Sequence, residues 1–170
     1  MNRKNIFKQV VVGGTFDFIH LGHLNLLNMA FSIGRRVIIG VSSDYLVKEM
    51  GKVVEHNFSE RKRNLNLIIK KIKRYKSRYF KIIQLNDRFG PALDPQTDAI
   101  VVSEETEMVA EECNKIRLAI GLKALSKVVV PIIYSEDGER ISSTRIRNKE
   151  IDSRGKLYVE GQKDTFRQHF

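Results

Sequence analysis

A chain of 170 residues, 42% hydrophobic and 29% charged, has the length and composition of one globular domain with its own core. Its one cysteine, Cys113, excludes an intramolecular disulfide and a cysteine-based zinc site, and no apolar run is long enough to cross a membrane as a helix. The net charge of +10 favours anionic partners, and the opening Met1-Asn-Arg-Lys-Asn lacks a signal-peptide apolar segment, so a reducing cytoplasm is the expected setting.

The first predicted strand, 8–13, is a continuous Val run that ends in Gly13-Gly14. A helix over 22–33 follows, with Leu24, Leu27, Ala30 and Phe31 on one face and Gly34 at the natural stop position. A second strand, 36–42, leads through Ser42-Ser43-Asp44 into a loop carrying Lys48 and Lys52. The next helix begins near Ser59 or Glu60, with a stripe of Leu65, Ile68, Ile69, Ile72 and Tyr75. From Arg61 to Lys81 there are ten basic residues and no acidic one. No RNA- or DNA-reading motif accompanies them, so this run reads as a solvated face and nucleic acid is not an expected partner.

A third strand, 79–85, precedes a long connection, 86–97, in which two prolines and a glycine argue against continuous helix; it reads as a functional loop or a crossover with a helical turn. A fourth strand, 98–103, leads into a helix capped by Ser103, with Glu104 and Glu105 in its first turn, Val109, Cys113, Ile116 and Ile120 as its apolar positions, and Gly121 as its stop. The fifth strand is 127–133, and a last helix starts at Ser142-Ser143 and ends before Gly155. Strands without alternation are covered on both faces. The βα alternation therefore predicts an α/β domain: a Rossmann-like, doubly wound, five-stranded parallel sheet over 1–151, with a polar C-terminal extension over 152–170.

Two segments carry chemistry. In Gly13-Gly14-Thr15-Phe16-Asp17, glycines at a strand's carboxyl end let the backbone approach phosphate, and Thr15 offers a hydroxyl. His20 and His23 then sit at a helix entry, where free amides and the dipole favour anions, three residues apart and able to reach one ligand. Gly22 between them removes a blocking side chain. Two readings compete: a metal pair, for which no third ligand of suitable spacing follows, and a pair of helix-entry histidines with no ligand at all. The second segment is Ile141-Ser-Ser-Thr-Arg-Ile-Arg147, a hydroxyl-rich helix start in which Ser142, Ser143 and Thr144 suit a phosphate and Arg145 and Arg147 add positive charge. Alone it would be a capped helix with solvated arginines; its place after the fifth strand brings it to the same sheet edge as the histidines. Lys48, rather than Lys52, is the loop lysine placed to reach a substrate phosphate, and Arg117 points either toward the triphosphate or along the surface.

These residues resemble the nucleotidyltransferase superfamily with the histidine-x-glycine-histidine motif. More narrowly, the chain is similar to the archaeal type of phosphopantetheine adenylyltransferase, related to the adenylyltransferase part of eukaryotic coenzyme A synthase. The narrower likeness rests on Ile-Gly-Val-Ser-Ser-Asp44, Asp87-Arg-Phe-Gly-Pro-Ala92, Ile-Val-Val-Ser-Glu-Glu-Thr106, Asn114 with Arg117, and Glu136-Asp-Gly before the second motif. The resemblance implies transfer of AMP from ATP, with Mg2+, to 4′-phosphopantetheine, giving dephospho-coenzyme A and pyrophosphate in coenzyme A biosynthesis. It implies that His20, Lys48 and Ser143 carry the reaction and that Thr15 and Lys48 hold the pantetheine phosphate. It assigns ATP to Gly13, Gly14, Thr15, Phe16, His23, Arg117, Ser142, Ser143, Thr144 and Arg145, with no protein metal site. The nearest rivals are transferases acting on flavin mononucleotide, nicotinamide mononucleotide or glycerol phosphate, whose motifs differ from Gly-Gly-Thr-Phe-Asp17 and Arg140-Ile-Ser-Ser-Thr144. Outside the enzymes, the rival is a nucleotide- or RNA-binding module on the same fold.

Overall fold

The computed structural model describes residues 7–75 and 79–158. The first strand, β1 (Phe7–Gly14), lies at the centre of a five-stranded sheet. It pairs in parallel with β2 (Gly34–Ser42) on one side and with β4 (Ala99–Ser103) on the other. The edges are β3 (Tyr79–Leu85) beside β2 and β5 (Ser126–Val130) beside β4, giving the order β3-β2-β1-β4-β5, parallel throughout. The winding direction reverses between β1 and β4. That switch point opens a crevice at the carboxyl ends of the strands, where ligands of such sheets bind.

Alternate residues of the Val and Ile runs feed two layers. Val10, Val12, Val37 and Ile39 pack beneath α1 (Leu21–Ile33) and α3 (Phe58–Lys71), against Leu27, Phe31, Leu65 and Ile69. Val11, Ile38, Ile100 and Val102 face the other way, toward Ala110 and Cys113 of α4 (Glu107–Ala119) and Ala92 of a 3-10 turn at Gly90–Leu93. That turn is the only helical piece described within the 86–97 connection, as the two prolines and the glycine require. A third, smaller cluster of Phe18, Ile141, Ile146 and Ile151 docks α5 (Ser143–Arg147) beside the loop after β1.

Several boundaries and roles differ from the sequence expectation. Residues 44–49, read as loop, form a short helix, α2 (Asp44–Glu49), because the Ser43 hydroxyl caps it by accepting the Leu46 amide at 3.0 Å. The α3 cap is Asn57, in a capping box with Glu60. Gly34 is not a left-handed stop: its φ is −101° and it is already the first residue of β2. A Cβ there would lie 2.8 Å from Val10 Cγ2, so close packing is what requires glycine. Gly121, at φ +79°, does end α4 in the left-handed conformation. The buried positions of α4 are Ala110, Cys113 and Arg117; Val109 is partly covered, and Ile120 lies beyond the helix and is exposed.

The boundary expected at 151/152 falls inside packed structure. Ile151 is fully buried, the Ser153 carbonyl accepts the Leu21 amide at 3.1 Å, and the Gly155 carbonyl accepts the Glu136 amide at 2.9 Å. The rest of the expected extension, 159–170, and the opening residues 1–6 lie outside the described residues. No described helix is long and apolar enough to cross a membrane.

Candidate active site

The loop after β1 builds the first wall. The Thr15 hydroxyl is buried and has no hydrogen-bond partner. Phe16 takes a positive φ of 54°, uncommon for an aromatic residue and typical of strained turns at functional sites. Its ring is fully buried and folds back so far that a Cβ on Gly14 would meet it at 3.0 Å. The Phe16 side chain is therefore core, packed 4.9 Å from the His23 ring, and only its backbone borders the site.

His20 is the N-cap of α1, and its Nδ1 accepts the Gly22 amide at 3.2 Å. That bond places the proton of the neutral ring on Nε2. A Cβ on Gly22 would sit 3.0 Å from the imidazole, so this glycine makes room for the ring to fold over its own helix start. The His20 and His23 rings stack with centroids 3.9 Å apart. Burial lowers the His20 pKa to about 4. His23 is held well below its ordinary value by burial first, then by the neighbouring His20 and Lys52 charges; the Phe18 carbonyl acts in the opposite sense. No hydrogen bond of normal geometry reaches His23 Nδ1. At the start of α1 the Leu21 and Gly22 amides are taken by the Ser153 carbonyl and His20 Nδ1, so the donors left for an anion include the imidazole N–H groups and the unpartnered Thr15 hydroxyl.

The second motif arrives at the same mouth. Ser143 Oγ donates to the Phe18 carbonyl at 3.0 Å, tying the start of α5 to the loop between Thr15 and His20. Ser142 caps α5 by accepting the Arg145 amide at 3.3 Å. Thr144 accepts Arg147 Nη2 at 3.4 Å. Between the carboxyl ends of β1, β2 and β4 lies a largely apolar cleft with Thr15, Lys52, Leu46, Leu85, Phe89 and Val109 among its lining residues.

Four expected residues stand elsewhere or in other roles. Arg117 lies at the opposite end of the sheet, where its guanidinium donates to the carbonyls of Lys123, Ala92, Asp94 and Thr97. It braces the connection before β4. Arg145 is held by Asp137 and by Glu150 Oε2 (2.9 Å), and it donates to Ser135 Oγ at 2.6 Å. The guanidinium in turn holds the Asp137 carboxyl far below the usual carboxylate range. Lys48 is exposed on α2 and does not line the cleft, whereas Lys52 does. Phe16 contributes no side-chain surface, as above.

Sequence reasoning missed the residues that shape the loop between α2 and α3. Asp17 is 2% exposed; its carboxylate accepts the amides of Glu55 (3.1 Å) and His56 (3.0 Å) and the His56 ring (3.0 Å). Arg61, inside the basic run read as solvated, is fully buried. It donates to the carbonyls of Thr15, Ser42 and His56 and pairs with Asp44 at 2.7 Å. Its place in the helical stripe with Leu65 and Ile69, four and eight residues on, was the available signal. Among the described residues no group of three His, Cys, Asp or Glu side chains could hold a metal ion.

The cytidylyltransferase-like family matches residues 11–149. A phosphopantetheine adenylyltransferase of Methanopyrus kandleri is 46% identical over 86% of this chain and 92% of its own length. That of Methanothermobacter thermautotrophicus is 41% identical over 92% of both. A solved structure from Archaeoglobus fulgidus, described as of unknown function, superposes with a TM-score of 0.64 at 29% identity, covering 72% of this chain and 88% of that one. With the histidine pair, the hydroxyl-rich helix start and the sheet order agreeing with those likenesses, the chain belongs to the archaeal-type phosphopantetheine adenylyltransferases within the cytidylyltransferase-like family.

Proposed function

We infer that this chain transfers AMP from ATP to 4′-phosphopantetheine, releasing pyrophosphate and forming dephospho-coenzyme A. The observation that carries the reading is the Ser143–Phe18 hydrogen bond, because it brings the two phosphate-binding segments to one mouth of the sheet from positions 125 residues apart. An oxygen of the acceptor phosphate attacks the α-phosphorus of ATP. The bond from that phosphorus to the bridging oxygen breaks, and pyrophosphate leaves with the electron pair. The attacking oxygen is already anionic, so the protein has to orient and stabilise rather than remove a proton.

His20 presents Nε2–H to the α-phosphate as charge builds there, and the Thr15 hydroxyl serves the acceptor phosphate. His23, the amides of Gly13 and Gly14, and the α5 start at Ser142, Ser143 and Thr144 hold the triphosphate. Lys52 takes the part expected of Lys48, since it lines the cleft beside Thr15 and its charge acts on His23. The apolar lining of Leu46, Leu85, Phe89 and Val109 suits the pantetheine arm. Magnesium would enter with ATP and offset phosphate charge there, as suits an ion that keeps its waters and needs few carboxylates. The test is pyrophosphate release from ATP and magnesium with each acceptor in turn. Release with phosphopantetheine and none with flavin mononucleotide, nicotinamide mononucleotide or glycerol phosphate is expected; release with another acceptor alone would reassign the enzyme.

A further inference from the structure

Arg61, one turn into α3, is fully buried, so its guanidinium reaches no ligand. Its N–H groups are committed within the protein. Nη1 donates to the Thr15 carbonyl and to the Ser42 carbonyl, both at 2.8 Å. Nε donates to the His56 carbonyl at 3.0 Å, and Nη2 pairs with Asp44 at 2.7 Å. The three carbonyls come from three segments: the loop after β1, the end of β2 and the connection between α2 and α3. Two of those segments carry polar groups of the cleft. The Thr15 hydroxyl is buried and without a hydrogen-bond partner, and Lys52, four residues before His56, lines the cleft with it. Next to Thr15 stands Phe16 at φ 54°, a conformation that persists only where neighbouring contacts restrain it.

We propose that Arg61 is a positioning residue: by holding the Thr15 and His56 carbonyls on one guanidinium, it fixes the spacing between the Thr15 hydroxyl and Lys52 that the acceptor phosphate requires. The proposal rests on the reading of those two groups as the acceptor-phosphate pair. Thr15 and Lys52 lie in neither helix nor strand, so no ladder of backbone hydrogen bonds holds them at a set distance from each other. Left untied, the two would have to be ordered together at each turnover; a shared anchor beneath both removes that entropy loss. Burying a cation is expensive even when it is paired, and backbone carbonyls alone could be met by smaller neutral donors. The planar fork of an arginine does what those cannot, because it reaches several carbonyls of different segments at once. The ammonium of a lysine is a point charge on a flexible stem and lacks that fork.

The experiment sets R61K, which keeps the charge and loses the fork, against wild type in steady-state kinetics, at a temperature where circular dichroism shows both folded. R61K should lower kcat/KM for phosphopantetheine about tenfold to a hundredfold, the scale of a misplaced group. The KM for ATP should stay within about twofold of wild type. In a background carrying both T15V and K52A, R61K should cost less than about a further twofold, since the groups it positions are gone. D44N changes a half-exposed carboxylate and leaves the core filled. It loosens the guanidinium and should raise the KM for phosphopantetheine about twofold to fivefold, the scale of one weakened hydrogen bond. Equal losses for ATP and acceptor in R61K, or the same loss with and without the Thr15 and Lys52 groups, overturn the proposal. If R61K does not fold, unchanged acceptor kinetics in D44N overturn it. If T15V and K52A each keep wild-type acceptor kinetics, the reading of those two groups fails instead.

Discussion

His20 commits one ring nitrogen to its own helix and leaves the other as a donor, which sets how the site responds to pH and mutation. A donor whose bond strengthens only as charge develops on the α-phosphate acts on turnover more than on binding. His20→Ala should therefore cut kcat about a hundredfold to a thousandfold, as for other donors to developing oxyanions, while the ATP dissociation constant changes little. Single-turnover rates set against ATP titrations check this, and equal losses in both would reduce His20 to a ground-state contact. The same burial links folding to pH. The folded-state pKa is about 4 against an ordinary 6.5, so between those values the unfolded chain binds a proton that the folded one does not. Stability should rise with pH through that window and fall on acidification, by a total of order 3 kcal/mol from this ring. His23 adds in the same direction. Urea unfolding at pH 7, 5.5 and 4.5 measures the slope, and His20→Asn, which keeps a capping side chain, should flatten it.

Among the elements, the junction of α1 and β2 shows how tightly the site's framework is packed. The helix passes into the strand without a loop, so Gly34 serves both, and an added methyl would press on Val10 in the centre of β1 and on the Ala30 carbonyl at 3.1 Å. Gly34→Ala should destabilise by about 1–3 kcal/mol, the usual range for overpacking, and denaturant midpoints will show it. A shift within a few tenths would mean that β1 yields easily. Arg61 is the other anchor. It carries a full charge through the core side of α3 and holds the carbonyls at the ends of both β1 and β2. A buried cation is tolerated there because backbone oxygens and a carboxylate satisfy its donors.

At the scale of the molecule, the chain closes on itself. Ile151 completes the small cluster that seats α5, and Ser153 supplies the acceptor for the first amide of α1, next to His20. Deleting residue 151 onward should cost at least the 2–5 kcal/mol typical of losing a buried aliphatic side chain, and activity should fall with it as α5 loosens. Melting and pyrophosphate-release measurements on the truncated chain check both; an intact site after truncation would show that α5 seats itself. Charge is distributed unevenly on the same scale. The ten basic residues of 61–81 equal the whole excess of +10, and the remaining chain is balanced. Positive net charge suits an enzyme whose substrates are both anions.

The strands, the sheet class and the two segments of the candidate site were legible in the sequence because each is written locally. Continuous Val and Ile runs, helix-spaced apolar residues and a glycine-hydroxyl-histidine cluster carry their meaning within a dozen residues. The roles of the cations were not. Arg61, Arg117 and Arg145 all read as surface or phosphate groups, yet each has its guanidinium engaged by carbonyls or carboxylates, most of them brought to it by the fold. Lys48 and Lys52 are four residues apart in sequence, but only Lys48 lies on α2; Lys52 follows the left-handed Gly51 beyond the helix and lines the cleft. A long charged side chain reaches partners far away in sequence, so its neighbours, and hence its function, are decided only when the tertiary structure brings them within hydrogen-bond distance.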